Sequence, residues 1–343
     1  MDHYDYLQVD SHSTTPKYRQ IVTSIQRAVD SGRLTYGSVL PSMNDIRALL
    51  NVSRDTVFKA YQELKTRGII SSSPGKGYFI SSDKVNIQKN VFLLLDNFTS
   101  YKEVLFNAFR KALGDRAVID LYFHHFKDSV FQTLITSAVG KYTDYVIMPL
   151  EDEKNKNFLQ LSLDSSRVYI LDTGLNMYGN LYPSVCQNFA NEMYISLTQA
   201  REQLAKYSKI MLVWGVAESV YQNQISDEII RGLEKFCEKN DISLEKVENA
   251  DDVTPEQGCC YFISYDFDLV TLVNRAKQKS LQLGKDIGII SFNESPLMAI
   301  AGGGITTISA DFEMMGKTMA DLVLNHKNEH IETPFSFIQR PSI

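Results

Sequence analysis

Histidine and cysteine are the residue types of this 343-residue chain best suited to metal binding or nucleophilic chemistry. His124 and His125 are adjacent, while His326 and His330 are four residues apart and would share one face of a helix. Neither pair is followed by a third ligand at a useful spacing, and a catalytic zinc site needs three protein ligands. We therefore predict no metal site.

The four cysteines carry no catalytic or metal-binding signature either. They form no CxxC pair and have no metal-finger spacing, and they are Cys186, Cys237, Cys259 and Cys260. The chain also lacks a Gly-x-Ser-x-Gly elbow, a P-loop and a Gly-x-Gly-x-x-Gly dinucleotide fingerprint. We predict that the protein is not an enzyme, needs no cofactor and keeps its thiols reduced in the cytoplasm.

Another set of polar and aromatic side chains follows segments that are predicted to be buried strands. Asp and Asn pair with vicinal hydroxyls, and an aromatic ring covers the apolar face of a sugar, so this set suits a small polyhydroxylated ligand. Each residue could instead face water or cap the next helix. The residues that we predict to bind an effector are Asn97, Phe98, Thr99, His125, Asp172, Tyr265, Asp266, Asn293 and Glu294.

Charge is distributed unevenly along the chain. Residues 17–76 contain ten Lys and Arg against four acids, a net charge of +6 in a chain whose total is −6. The remainder therefore carries −12. A basic head on an acidic body is the asymmetry expected when one domain meets phosphate and the other does not. No run of about 18 apolar residues occurs, and the acidic start MDHYDYLQVD is unlike a secretory signal, so we predict a cytoplasmic protein without a membrane span.

The elements of the head are predicted from apolar periodicity. Residues 18–29 form one helix, and Ser42 with Asp45 makes an approximate capping box at the start of a second. Ser53 caps a third helix, whose apolar stripe is formed by Val57, Ala60, Tyr61 and Leu64. Two helices joined by a tight turn make a helix-turn-helix, whose second helix enters the major groove.

A β-hairpin is predicted directly after these helices. Two short apolar runs, 69–70 and 78–80, flank the glycine-rich tip Pro74-Gly-Lys-Gly77. Glycines allow close backbone approach to a partner, and Lys76 can reach a phosphate or a minor groove. The hairpin would then act as a wing beside the helix-turn-helix.

Together these motifs resemble the winged helix-turn-helix of the GntR family of transcriptional regulators. The resemblance covers about residues 16–80 and is carried by Leu40-Pro-Ser, Val52-Ser-Arg-Asp-Thr-Val57, Tyr61-x-x-Leu64, Gly68-Ile-Ile and Gly75-Lys-Gly-Tyr-Phe79. It implies that Arg54 and Thr56 touch DNA. The family usually has arginine where this chain has Asn44 and Phe58, so we expect a different operator. The predicted DNA contacts are Ser42, Asn44, Ser53, Arg54, Asp55, Thr56, Phe58, Lys59, Lys76 and Gly77.

The body, residues 91–343, alternates strands and helices after a polar linker at 83–90. Such alternation predicts parallel sheets with helices on both faces, and its length favours two similar lobes. The segments Leu283–Pro296, Ile305–Asp311, Met315-Gly316 and Ile338–Ser342 resemble the sensor domain of LacI/GalR-type regulators, a relative of periplasmic sugar-binding proteins. The resemblance implies two lobes that close on a sugar, with Asp172, Asn293 and the pair Tyr265-Asp266 at the ligand. The family often has an arginine at the position of Ile229, and its absence favours a neutral ligand.

We therefore predict a multidomain protein: a small α+β winged helix-turn-helix head at 1–82 and an α/β, two-lobed, periplasmic-binding-protein-like body with parallel sheets. The predicted function is a homodimeric DNA-binding regulator, a repressor controlled by a neutral monosaccharide such as a pentose or deoxyhexose. The alternative is a regulator that senses a sugar phosphate, a nucleoside or redox state, with a body that serves mainly for dimerisation.

Overall fold

A computed structural model describes residues 4–11, 13, 15–81, 89–213 and 227–343. The described chain forms a helical head with a two-stranded hairpin, followed by two six-stranded sheets with their helices. No helix within these ranges is long and apolar enough to cross a membrane.

Within its described residues, the head has three helices and one antiparallel hairpin, as the sequence predicts. Their bounds are α1 Lys17–Asp30, α2 Met43–Leu50, α3 Arg54–Thr66, β1 Ile70–Ser73 and β2 Gly77–Ile80. Apolar side chains from all three helices form one core, in which Ile25, Ile46 and Leu64 are fully buried. The hydroxyl of the buried Tyr61 donates a hydrogen bond to the carbonyl of Pro41 (2.6 Å), which ties α3 to the start of α2.

The first sheet of the body has the strand order β13-β7-β6-β5-β3-β4. Parallel pairing joins β5 to β6, β6 to β7, and β7 to β13. The strands are β3 Lys89–Leu95, β4 Ala117–Phe123, β5 Asp144–Ile147, β6 Val168–Asp172, β7 Ser184–Gln187 and β13 His330–Thr333. The helices between them are α4 Ser100–Leu113, α5 Asp128–Ala138, α6 Glu153–Ser162 and α7 Leu175–Tyr178.

The second sheet repeats this layout in the order β14-β12-β11-β10-β8-β9. All neighbours are parallel except β14, which is antiparallel to β12. The strands are β8 Lys209–Val213, β9 Ser243–Val247, β10 Cys259–Ile263, β11 Gly288–Phe292, β12 Thr306–Ala310 and β14 Phe335–Ile338. The helices are α8 Phe189–Gln199, α9 Arg201–Leu204, α10 Asp227–Lys239, α11 Asp266–Gln278 and α12 Phe312–Asn325.

The structure changes one predicted boundary. Residues 82–88 of the predicted linker region lie outside the described residues, but β3 begins at Lys89, inside the span assigned to the linker. Lys89 is buried because its ammonium lies 3.2 Å from both carboxylate oxygens of Asp144, at the start of β5. A polar residue therefore opens a core strand here, which a hydropathy pattern cannot reveal.

Candidate functional site

The outward face of α3 carries most of the predicted DNA contacts. Ser53 caps the helix: its hydroxyl accepts from the backbone N–H of Thr56 at 3.1 Å and lies 2.8 Å from the Thr56 hydroxyl. The apolar stripe predicted to face the core is fully buried, so the opposite face of the helix points outward. The predicted DNA contacts that are exposed on this outward face are Arg54, Asp55, Phe58 and Lys59. A cationic helix face with one exposed ring can meet a polyanion.

The start of α2 carries the other two predicted helical contacts, Ser42 and Asn44. The capping box is complete, since the Ser42 hydroxyl accepts from the Asp45 N–H (3.2 Å) and the Asp45 carboxylate accepts from the Ser42 N–H (3.1 Å). Ser42 also lies 2.7 Å from that carboxylate through its hydroxyl. Asn44 is exposed. Cap formation accounts for Ser42 without DNA, and contact of either residue with DNA stays a prediction.

The hairpin presents Lys76 and Gly77 at its exposed tip. Gly75 and Gly77 both have a φ of +77°, a conformation that favours glycine, so the tight tip depends on them. The ammonium of Lys76 lies 4.5 Å from the centroid of the Phe79 ring. This cation–π contact holds the Lys76 ammonium beside the hairpin, where it is still exposed at the tip.

A buried charged cluster lies at the carboxyl ends of strands in the first sheet. The Lys102 ammonium, near the start of α4, pairs with the Asp96 carboxylate and donates to Asn97 Oδ1 at 3.0 Å. Burial alone would lower the pKa of Lys102, but Asp96 outweighs it and the pKa is raised above its ordinary value. The ammonium therefore stays charged and is already occupied by two partners.

Asp172, at the end of β6, belongs to the same group of buried side chains. Its carboxylate accepts a hydrogen bond from the side-chain amide of Gln187, the last residue of β7. Burial raises the pKa of Asp172, with a smaller opposing effect from the Lys102 charge. Its φ is +71°, a left-handed conformation that Asp tolerates better than most residues.

Three other predicted effector residues of the first sheet lie in its strand-end loops. Thr99 caps α4, and its hydroxyl accepts from the Lys102 N–H at 3.4 Å. The ring of Phe98, about half exposed, meets the Phe123 ring with centroids 5.8 Å apart. His125 has a φ of +50°, and its N–H donates to the Asp96 carbonyl at 2.7 Å. Their effector role stays a prediction.

In the second sheet, the predicted residues follow β10 and β11. Tyr265 and the exposed Asp266 stand at the start of α11. Asn293 directly follows β11 with a φ of +74°. Both carboxylate oxygens of Glu294 lie 2.9 Å from the guanidinium of Arg340, in a bidentate ion pair that fastens the C-terminal segment. Glu294 therefore has a structural role, which sequence reasoning did not anticipate.

Several buried polar atoms at these strand ends have no hydrogen-bond partner among the described residues. They include Gln187 Oε1, Asn293 Oδ1 and Ser264 Oγ. Gln187 and Asn293 are at least nine-tenths buried, and a buried acceptor without a donor is costly. Two amide oxygens and a hydroxyl can therefore accept hydrogen bonds from a ligand that carries hydroxyl or amino groups.

Sequence reasoning missed Lys102 and Gln187 in this region. Lys102 lies in a helix where a solvated lysine would be ordinary, and only its burial shows its partner Asp96. Gln187 ends a four-residue strand, SVCQ, too short for a periodic signal. The one sequence signal that could have identified Gln187 is its place as a polar residue at the end of a short apolar run.

Within the described chain, no group of three or more His, Cys, Asp or Glu side chains is close enough to hold a metal ion. His124 is fully buried; its Nε2 lies 3.2 Å from the Met148 carbonyl and its Nδ1 accepts from the Phe126 N–H at 3.2 Å. These partners define a neutral ring protonated on Nε2. All four cysteines are buried free thiols, and burial raises the pKa of Cys259 to about 11.

Comparison with known proteins matches two parts of the chain. Residues 17–80 match the model of the bacterial regulatory proteins of the gntR family, and residues 204–342 match a periplasmic binding protein-like domain. The repressor YtrA of Bacillus subtilis is 35% identical over 77 residues, which cover 22% of this chain and 59% of YtrA. The regulator Rv1152 of Mycobacterium tuberculosis is 35% identical over 81 residues, 24% of this chain and 67% of that protein.

Solved structures resemble the chain over a larger share of its length. A Lac repressor dimer bound to operator and an anti-inducer gives a TM-score of 0.59 at 14% identity, covering 74% of this chain and 94% of that one. A LacI-type regulator from Alkaliphilus metalliredigens in complex with D-xylulofuranose also gives 0.59, at 12% identity, covering 74% and 99%. At this identity the likeness shows the fold alone. Both resemblances found in the sequence are confirmed.

The neutral state of His124 predicts a loss of stability in mild acid. Burial lowers the pKa of this imidazole to about 4, whereas unfolded histidine titrates near 6.5. Because the unfolded chain takes up the proton more readily, stability present above about pH 6.5 is lost as the pH falls toward 4, by about 3 kcal/mol.

Thermal unfolding at a series of pH values between 7 and 4 checks this expectation. The variant His124→Gln should show a smaller fall in melting temperature over that range than the wild type. His326→Asn, a matched control at an exposed helix end with a left-handed backbone, should keep the wild-type fall. An unchanged pH dependence in His124→Gln would show that His124 does not control it.

Proposed function

The chain belongs to the GntR family of bacterial regulatory proteins through its head, and on that premise we propose that it is a sequence-specific transcriptional repressor. Its body would bind a small effector, a neutral monosaccharide such as a pentose or deoxyhexose, and thereby control the affinity of the head for DNA.

The head is proposed to place α3 in the major groove of an operator. The capped start of α3 directs Arg54 and Lys59 outward, and residues near the start of a recognition helix contact base edges. The net charge of +6 over residues 17–76 favours binding to phosphate in general. Lys76, at the tip of the hairpin, would add a phosphate or minor-groove contact beside the helix.

The unpartnered acceptors at the strand ends are the single observation that best supports a hydroxylated effector. Gln187 Oε1 and Asn293 Oδ1 need hydrogen-bond donors, and vicinal sugar hydroxyls supply them in pairs. The buried ammonium of Lys102 at the strand ends is already ion-paired with Asp96. A phosphate or carboxylate would find this cation occupied, which favours a neutral sugar.

An effector that engages both sheets would couple to DNA binding by holding them together. Helix α7 follows β6, and its residue Asn176 donates a hydrogen bond to Glu228 of α10, so elements that follow strands of different sheets already meet near this edge. We propose that a sugar held by Gln187 and Asn293 favours one arrangement of the two lobes. A ligand shifts such an equilibrium only by its difference in affinity for the two states.

A homodimer is part of the proposal. Two heads related by two-fold symmetry would bind a pseudo-palindromic operator, because half-sites mirror the symmetry of the protein. A change in the arrangement of the lobes would then alter the spacing of the heads. In repressors of this design, we expect the sugar to release DNA.

The redox alternative has less support. Cys259 and Cys260 are neighbours in β10, and adjacent strand residues point to opposite faces, so they cannot readily pair. Burial also raises the pKa of each thiol, which keeps the reactive thiolate scarce.

The wing predicts a specific change in salt dependence. Replacing Lys76 by Ala should remove about one phosphate contact and make the slope of log affinity against log salt concentration less steep by about 1. Fluorescence anisotropy with a random-sequence duplex measures this slope. Lys65→Ala is the control: it removes the same charge, but Lys65 donates a hydrogen bond to Ser72 of β1 (3.3 Å), and we expect the wild-type slope. An identical slope in Lys76→Ala and wild type would mean that the wing does not touch DNA.

The effector site predicts a ligand-dependent rise in melting temperature. The full chain is screened by thermal shift against neutral pentoses, hexoses and deoxyhexoses, their phosphates and nucleosides, since a ligand that binds only the native state stabilises it. One neutral sugar should give the largest shift. A shift from a phosphate or nucleoside alone would contradict the neutral-sugar assignment.

Variants matched for backbone conformation test the contact itself. Asn293→Gly removes the amide while glycine tolerates the φ of +74°, and it should reduce the shift caused by the sugar. Asn51→Gly makes the same change at a φ of +48° in the head and should leave the shift intact. Equal shifts in both variants would exclude Asn293 from the site.

A further inference from the structure

An exposed aromatic ring stands on the recognition helix among charged residues. Phe58 of α3 is 48% exposed, whereas the apolar stripe of the same helix is fully buried. It follows Arg54 by one helical turn, so both leave the same outward face. The core of the head is complete without this ring, since Val57 beside it fills the core position.

We propose that Phe58 contacts the 5-methyl group of a thymine in the major groove and so makes binding depend on thymine at that position. This inference rests on the proposed function and deepens it by naming one base of the operator. A phenyl ring cannot hydrogen-bond a base edge, and the thymine methyl is the apolar group that the major groove offers. Contact between the two would remove both from water.

The helix geometry limits where this thymine can lie. Four residues of α-helix rise about 6 Å, which is roughly two base-pair steps of about 3.4 Å. The thymine should therefore lie within about two base pairs of the site that Arg54 contacts. Arg54 and Lys59, which flank Phe58 on the exposed face, would hold the helix in register through bases or phosphates.

The charged residues around Phe58 favour DNA, rather than the head of a second copy, as the partner that contacts the ring. The ring is surrounded in sequence by Arg54, Asp55 and Lys59, all exposed, and the head is strongly basic. Two such faces would repel each other, whereas a polyanion would be attracted. The experiment must still distinguish DNA contact from packing of Phe58 against a second copy of the chain.

The test uses the full chain and changes the DNA as well as the protein. Duplexes are selected from a random-sequence pool with the wild-type protein. Each thymine of the best duplex is then replaced, one at a time, by deoxyuridine, which pairs alike and lacks only the methyl group. Affinities are measured by anisotropy for wild type, Phe58→Ala and the control Leu49→Ala, an equally exposed apolar residue on α2 (51% against 48%).

The proposal predicts that one thymine in each half-site is sensitive. Loss of its methyl should weaken wild-type binding about fourfold, the effect of one buried methyl group. The same replacement should not affect Phe58→Ala and should still weaken Leu49→Ala about fourfold. Phe58 is exposed, so its removal should leave folding intact, and the deoxyuridine arm needs no variant at all.

Other outcomes overturn the proposal at different levels. If no duplex is enriched, the proposed sequence-specific function fails, and this inference fails with it. If a duplex is enriched and no methyl matters, or the same methyl matters equally in Phe58→Ala, the function stands and the role of Phe58 is wrong. A Phe58→Ala protein that changes its oligomeric state without any methyl effect would place the ring against a second copy.

Discussion

Parallel strand pairing is the constraint on which the body depends. It brings the carboxyl ends of the paired strands in each sheet to one edge, where ligands bind in open α/β sheets. Asp172 and Asn293 mark equivalent places, at the end of the third strand in each sheet order, and both have left-handed backbones with φ near +70° (+71° and +74°). Two unlike residues thus share one geometry, and the two sheets present corresponding polar ends.

The first sheet of the body contains buried ion pairs that its sequence does not reveal. A buried lysine needs a paired carboxylate, and the body supplies one for each of two, Lys89 with Asp144 and Lys102 with Asp96. Only the Lys102–Asp96 pair lies at the carboxyl ends of the strands, since Lys89 and Asp144 begin β3 and β5. Among the polar atoms at the carboxyl ends, the amide oxygens of Gln187 and Asn293 have no hydrogen-bond partner in the described chain.

Local signals made the head predictable. The caps at Ser42 and Ser53 and the stripe of α3 depend on residues within one or two helical turns, and the structure has them all. In the body, the alternation of strands and helices was predicted from the same kind of local signal. The strands β7 and β9 show the limit of that signal, because β7 has four residues and β9 is largely exposed, so neither has a clear apolar period.

The polar contacts of the body depend on distant parts of the chain. Gln187 meets Asp172 across neighbouring strands, and Glu294 meets Arg340, 46 residues later. Sequence predicted that Glu294 would be near a ligand, but its ion pair could not be seen because it depends on where the C-terminal segment runs. Residue type and position after a strand identify a candidate; only tertiary contacts show which of its atoms are still available.

The central claim is that an effector in the body controls the affinity of the head for DNA. It is tested most directly by titrating the full chain with its selected duplex, with and without a saturating amount of the sugar that stabilises it most. The account predicts weaker DNA binding with the sugar, by about 5- to 150-fold for a typical coupling, and an equal loss of sugar affinity on DNA. A DNA affinity that the saturating sugar leaves unchanged would contradict it.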